Sequence, residues 1–262
     1  MIADTPHTDF WKIKLDRPVF LTVVIYLSLA AFLEILGTYV SIILGSIGNA
    51  LLIFLAINQA VWMHNTACYR ILPVIALIPF LRLLSVILPV AGWPIQINYL
   101  LITIPLLVTV GMLMYYRKIP LVNLGLERPN WRVQFPIALS GLPLGFIGYL
   151  LLRPTPLFVG SGLVVWTTNL LVLFVCIAFA EEIVFRGIFL RVLAEVSDPF
   201  ALFASGLLYG VLHIGSGSLA YALFMGLVGW LFAFLTLRTR SIWGVVIAHF
   251  FLVAGMVLFS LP

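Results

Sequence analysis

Nine apolar runs alternate with short polar breaks along this chain, at roughly 19–36, 40–61, 71–90, 98–116, 134–152, 161–190, 199–214, 219–237 and 242–260. A helix crosses a bilayer with about 20 apolar residues. The pattern therefore predicts an all-α, polytopic transmembrane bundle of about nine spans, within a range of eight to ten. The first two boundaries are the weakest, because only Gly37-Thr38-Tyr39 separates those runs. The longest polar stretch after the N-terminus is Tyr115–Gln134, with four basic residues, Glu127 and a helix-breaking Pro129. It reads as a hinge between a four-span region, 1–116, of no evident role and a five-span region, 117–262. No internal repeat or low-complexity tract is visible, and the matched broken helices of an inverted-repeat transporter are not evident.

Composition narrows the class. Of 262 residues, 63% are hydrophobic and 9% charged, where soluble domains carry about 25% charged. With a mean hydropathy of +1.21, a soluble domain, a disordered chain and a coiled coil are excluded. The sequence pI of about 9.4 does not point to nucleic acid, because the 14 Lys and Arg residues are scattered between apolar runs and build no groove. Their scatter is informative about orientation. With a cytoplasmic N-terminus, the inner segments hold Lys12, Lys14, Arg17, Arg70, Arg117, Lys118, Arg128, Arg132, Arg191, Arg238 and Arg240, and the outer loops hold Arg153. This asymmetry is what the positive-inside rule expects, and it puts the C-terminus outside. Residues 1–17 mix acids and bases before the first apolar run, so no cleaved signal is expected. Cys68 and Cys176 fall at different depths and are expected to be inert packing residues without a disulfide.

A charge within hydrocarbon costs about 2.5–3.5 kcal/mol on insertion scales, so each one needs a reason. The intramembrane candidates are Glu34, Arg82, Glu181, Glu182, Arg186, His213 and His249. Glu34 and Arg82, at similar depth on the first and third spans, read first as a structural ion pair. In Ala180-Glu181-Glu182-Ile183-Val184-Phe185-Arg186, Glu182 and Arg186 are i and i+4 and can pair. Glu181 lies roughly 140° round the helix from Arg186, outside that pair. A carboxyl left without a cation is favoured as a general base or acid. Tyr209 and His213 are again i and i+4, on a helix started by Ser197-Asp198-Pro199, with Gly206, Gly210, Gly215 and Gly217 permitting close approach. Glu181 and His249 lie roughly 13 Å and 12 Å from the cytoplasmic ends of their spans by helix rise, and His213 about 21 Å. That mismatch needs tilt or a helix that begins deeper.

Glu181-Glu182-x-x-x-Arg186, then Tyr209-x-x-x-His213, then His249 in the final span resembles the CAAX protease and bacteriocin-processing family, the type II CAAX prenyl endopeptidase family of intramembrane glutamate proteases. Leu124-Gly125-Leu126 followed by Trp131 resembles the segment that precedes its core, so the likeness covers roughly 117–262 and makes that region the catalytic core. Two positions depart from the family pattern. Tyr209 stands where Phe is usual, and Val253 stands where an Asn is usual four residues after the last His.

The resemblance implies peptide-bond hydrolysis inside the membrane. Glu181 and His213 would activate water, Glu182 and Arg186 would order the site, and His249 would donate to the oxyanion, where Val253 cannot help. Its partners would be the bilayer and a membrane-embedded or lipid-anchored peptide, prenylated at the C-terminus or of leader type. The resemblance implies no cofactor and favours a metal-free mechanism; Glu181, His213 and His249 as a two-His, one-carboxylate Zn²⁺ site is the alternative. Two other functions compete: a catalytically weak membrane binding or immunity partner, favoured by Val253, and an ion-coupled transporter using Glu34, Arg82 and the glutamate pair.

Overall fold

The computed structural model describes residues 17–88, 91–117, 119–154 and 162–260. The signal-peptide reading of residues 1–17 falls almost wholly outside them, as does Lys118. The described residues contain helices and no strands. Among the described residues, eight helices are long and apolar enough to cross a membrane, and a shorter one, Trp243–Phe259, follows. The protein is an integral, multi-pass helix bundle.

The helices are α1 (Arg17–Tyr39), α2 (Ile42–Trp62), α3 (Cys68–Ile75), α4 (Leu77–Ile87), α5 (Ile95–Arg117), α6 (Trp131–Leu139), α7 (Gly141–Leu152), α8 (Leu163–Ala194), α9 (Asp198–Leu212), α10 (Leu219–Thr239) and α11 (Trp243–Phe259). Two spans, Cys68–Ile87 and Trp131–Leu152, each cross as one unit, as the sequence reads them, but lose a hydrogen-bond step inside. The α3/α4 break falls at Ala76 and the α6/α7 break at Ser140. Each first segment ends four residues before a proline, Ile75 before Pro79 and Leu139 before Pro143. Proline has no N–H for the carbonyl four residues back, so the helix stops there and proline is tolerated in the first turn of the next one.

Helix α8 is the axis of the C-terminal half. It runs to Ala194, four residues past the end expected from the sequence, and residues 182–190 are all buried. Two π-helical stretches interrupt it, Leu173–Phe179 and Ile183–Phe189, with Glu181 and Glu182 between them. Such π turns concentrate at functional sites, where they re-aim side chains.

Small residues set the helix crossings. A Cβ at Gly206 or Gly210 on α9 would lie 3.0 Å from the Gly226 carbonyl oxygen or 2.9 Å from that of Ala222, both on α10. Gly215 and Gly217 do other work: neither is at this crossing, and Gly217 (φ +78°) supplies a left-handed turn. On α7, a Cβ at Gly141 would overlap the Ala248 backbone of α11. The start of α11 is held by Gly244 N donating to buried Gln134 Oε1 at 2.7 Å. Ile242 N donates to Gly125 O at 3.1 Å. The 121–126 segment thus covers the end of α11, and His249 further along the helix is fixed from both sides.

Between α8 and α9, Glu195 has both carboxylate oxygens buried without a hydrogen-bond partner among the described residues. Burial pushes its pKa up to about 8, with Arg70 opposing, whereas a carboxyl in an unfolded chain ionises near about 4.3. The fold therefore keeps a proton that the unfolded chain loses, and stability falls as pH rises through this window, levelling off above the folded pKa. The melting temperature in detergent is expected to drop between about pH 6 and about pH 8. Glu195→Gln should flatten that slope, and an unchanged slope in the variant would contradict the assignment.

Candidate active site

The site begins with the buried pair on α8. Glu182 Oε1 accepts from Arg186 Nη1 at 3.0 Å, with both side chains fully buried. The π-helical turn that starts at Ile183 does not break this i, i+4 contact. Arg186 Nη2 also donates to the Gly229 carbonyl at 3.2 Å, and its guanidinium carbon lies 4.5 Å from the Tyr209 ring centroid. Gly229 makes room for this, since a Cβ there would come within 2.7 Å of Tyr209 Cβ.

His249 joins the same carboxylate, with Nδ1 3.0 Å from Glu182 Oε1. An ionised carboxylate only accepts, so Nδ1 carries the proton. Its other ring nitrogen, Nε2, is 3.3 Å from the Tyr209 hydroxyl. That hydroxyl donates to Glu181 Oε2 at 3.1 Å. Arg186, Glu182, His249, Tyr209 and Glu181 thus stand in one row of contacts; the phenol has a single hydrogen, so while it donates to Glu181 its contact with His249 is a hydrogen bond only when Nε2 also carries a proton. Glu181 has no cation partner but does have a partner, the phenol. The sequence treats it as an acid with no local partner because Tyr209 is 28 residues away.

His213 caps α9, and its own N–H has moved to Gly210 O. The Tyr209 carbonyl that this frees lies 2.7 Å from His213 Nδ1. A carbonyl only accepts, so Nδ1 is the protonated nitrogen and the neutral ring keeps a lone pair on Nε2. The rings of Tyr209 and His213 are 4.8 Å apart.

Glu181, Tyr209 and His213 line one cavity of about 200 Å³. His249, 2% exposed, stands behind Tyr209 and meets the cavity through its hydroxyl. The expected depth mismatch is largely removed by the longer α8. Glu181 lies 13 residues before Ala194, or about 20 Å along an α-helix, close to the level of His213.

The rest of the lining was not foreseen. Arg82 and Ser85 of α4, and Tyr99, Thr103 and Leu106 of α5, complete the cavity with Cys176 and Phe185 of α8. Thr103 Oγ1 donates to the Cys176 carbonyl at 3.2 Å, seating α5 on α8. The i, i+4 polar pair Tyr99 and Thr103 in an otherwise apolar run was the available signal. The expected ion pair is present, with Arg82 Nε 3.0 Å from Glu34 Oε2. Cys68 and Cys176 are buried and form no disulfide with each other. Among the described residues no three His, Cys, Asp or Glu side chains are placed to share a metal ion; the Tyr209 hydroxyl lies between Glu181 and His249.

Residues 163–255 match the family model described as type II CAAX prenyl endopeptidase Rce1-like. No curated protein and no solved structure matches the chain. The matched segment spans α8 to most of α11 and contains all six residues singled out as the site.

Proposed function

We propose, from the match of residues 163–255 to the type II CAAX prenyl endopeptidase Rce1-like family, that this membrane protein is an intramembrane endopeptidase hydrolysing membrane-associated peptides with water activated by Glu181 and His213. The observation that carries this reading is the meeting of Glu181, Tyr209 and His213 on one cavity. The substrate class is a lipid-anchored or membrane-embedded peptide, prenylated at its C-terminus or of leader type. The charge pattern supports an N-terminus in the cytoplasm.

Water held between Glu181 and His213 Nε2 gives a proton to Glu181 as its oxygen attacks the scissile carbonyl. The carbonyl electron pair moves to oxygen. The Tyr209 hydroxyl, released when Glu181 is neutralised, donates a hydrogen bond to that oxyanion. The intermediate then collapses, the C–N bond breaks, and the leaving amine takes the proton from Glu181. No step needs a metal. His249 acts through Tyr209 in this scheme, and Arg186 with Glu182 fixes His249. The phenol thereby supplies the donor that Val253 cannot.

Tyr209→Phe is the sharpest check on that assignment, because it installs the residue usual in the family. Loss of an oxyanion donor costs about 10²–10³ in kcat, and that loss is expected here with KM and melting temperature nearly unchanged. Full turnover in the Tyr209→Phe variant would remove the phenol from the mechanism. The reading as a whole is tested by reconstituting the full chain in proteoliposomes with a prenylated peptide. Cleavage that persists in excess chelator is expected; no cleavage, or cleavage abolished by chelator and restored by Zn²⁺, would overturn it. Val253 favours a second reading, a binding or immunity partner without turnover, which predicts that Glu181→Gln keeps its phenotype and its co-purifying protein.

A further inference from the structure

Arg82 is unusual among the cavity residues. It is a cation lining the same cavity as Tyr209 and His213, and it comes from the half of the chain outside the matched segment. Its Nε is fixed by Glu34 Oε2 at 3.0 Å, and the two side chains are unequally covered, Glu34 at 3% exposure and Arg82 at 26%. Glu34 therefore holds one edge of the guanidinium from the protein side. The Arg82 side chain as a whole stays 26% exposed, and no acceptor for its terminal nitrogens stands among the described residues. It also reaches the loop after His213: a Cβ on Gly215 would stand 3.9 Å from Arg82 Nη2. The Ser85 hydroxyl is turned back onto the Arg82 carbonyl at 2.8 Å and does not compete. A structural ion pair would be served by two buried partners. This arrangement leaves a positioned fork of donors in a cavity whose other walls include Leu81, Ile102 and Ile177. A guanidinium fork matches a carboxylate bidentately, and donors left unmade in such a site are costly.

We propose that Arg82 is a substrate-anchoring residue, whose terminal guanidinium nitrogens bind a carboxylate carried by the peptide near the scissile bond. Glu34 is its positioning residue. The carboxylate comes either from the peptide's free C-terminus or from an acidic side chain. The anchoring fixes the register of the chain over Glu181 and gives the first four spans a role in selection. The inference takes from the peptidase reading only that the ligand is a peptide.

The test measures binding and cleavage separately. Full-length Glu181→Gln protein in nanodiscs is titrated with one dye-labelled, S-prenylated peptide in three forms: free C-terminal acid, C-terminal amide, and amide with Asp as the last residue. The acid is expected to bind at least about tenfold more tightly than the amide, the scale of one lost charge-assisted contact. Adding Arg82→Gln should make acid and amide equal. If the single change does not fold, Glu34→Gln/Arg82→Gln, which leaves no unpaired buried acid, is used and should also show no preference. Recovery by the Asp-amide identifies a side-chain carboxylate as acceptable; failure to recover restricts the site to the chain end. Equal binding of acid and amide to the protein that retains Arg82, or a preference that survives loss of Arg82, overturns the proposal. Cleavage of the same peptides by the wild type keeps the two readings apart. Preference without cleavage sinks the peptidase and leaves the anchor, whereas cleavage without preference does the reverse.

Discussion

Glu181→Gln is expected to lower kcat by at least about 10³, within the range set for loss of a general base, while leaving the protein folded. The replacement is isosteric, and its amide oxygen still accepts from the Tyr209 hydroxyl, which holds the native carboxylate at 3.1 Å. The helix around it does not depend on its charge, because Arg186 is occupied by Glu182 and the Gly229 carbonyl. What Gln cannot do is take a proton from water. Loss of turnover with an unchanged melting temperature is therefore the signature. A variant that keeps more than about a tenth of wild-type turnover would mean that another group activates the water.

The neighbouring acid behaves in the opposite way. Glu182 and Arg186 are fully buried, and breaking such a pair by removing one partner costs about 3–5 kcal/mol because the other charge is left alone. Total stabilities are only about 5–15 kcal/mol. Arg186→Met should therefore lower the melting temperature by on the order of 10 °C and reduce the yield of monodisperse protein. It also strips Glu182 of the charge that keeps His249 in place. Glu182→Gln/Arg186→Met should recover most of the lost stability but not turnover, since the 3.0 Å contact to His249 Nδ1 then has no carboxylate. A single Arg186→Met protein that melts like the wild type would show that the pair carries no such load. Adjacent acids thus separate into one that can be neutralised without harm to the fold and one that cannot.

Much of this could be read from residue order. Hydrophobic runs of sufficient length mark spans whatever their packing, so the helix count and most boundaries follow from them. The i, i+4 spacing of Glu182 and Arg186 and the two intramembrane histidines are local or type-specific signals of the same kind. So is the Glu34–Arg82 pair, since two opposite charges in hydrocarbon have strong reason to meet. What escaped depends on rotation about helix axes and on local backbone. The breaks at Ala76 and Ser140 follow from Pro79 and Pro143, but proline in a membrane helix often only kinks it. The π turns flanking Glu181 and Glu182 leave no composition signature. Bringing the Tyr209 hydroxyl between Glu181 and His249 needs three helices in register, and that register is set by Gly229 against Tyr209 and Gly141 against Ala248. Turning Arg82 into the same cavity is likewise a matter of how α4 restarts after Ala76.

The claim that Glu181 makes water reactive, and does not itself attack the peptide, is tested most directly by a single turnover in H₂¹⁸O. The masses of the released product and of the fragment containing Glu181 are read afterwards. Direct attack by water puts one ¹⁸O in the new C-terminal carboxyl of the product and none in Glu181. An unlabelled product with ¹⁸O in the Glu181 carboxyl would mark a covalent acyl-enzyme and contradict the account.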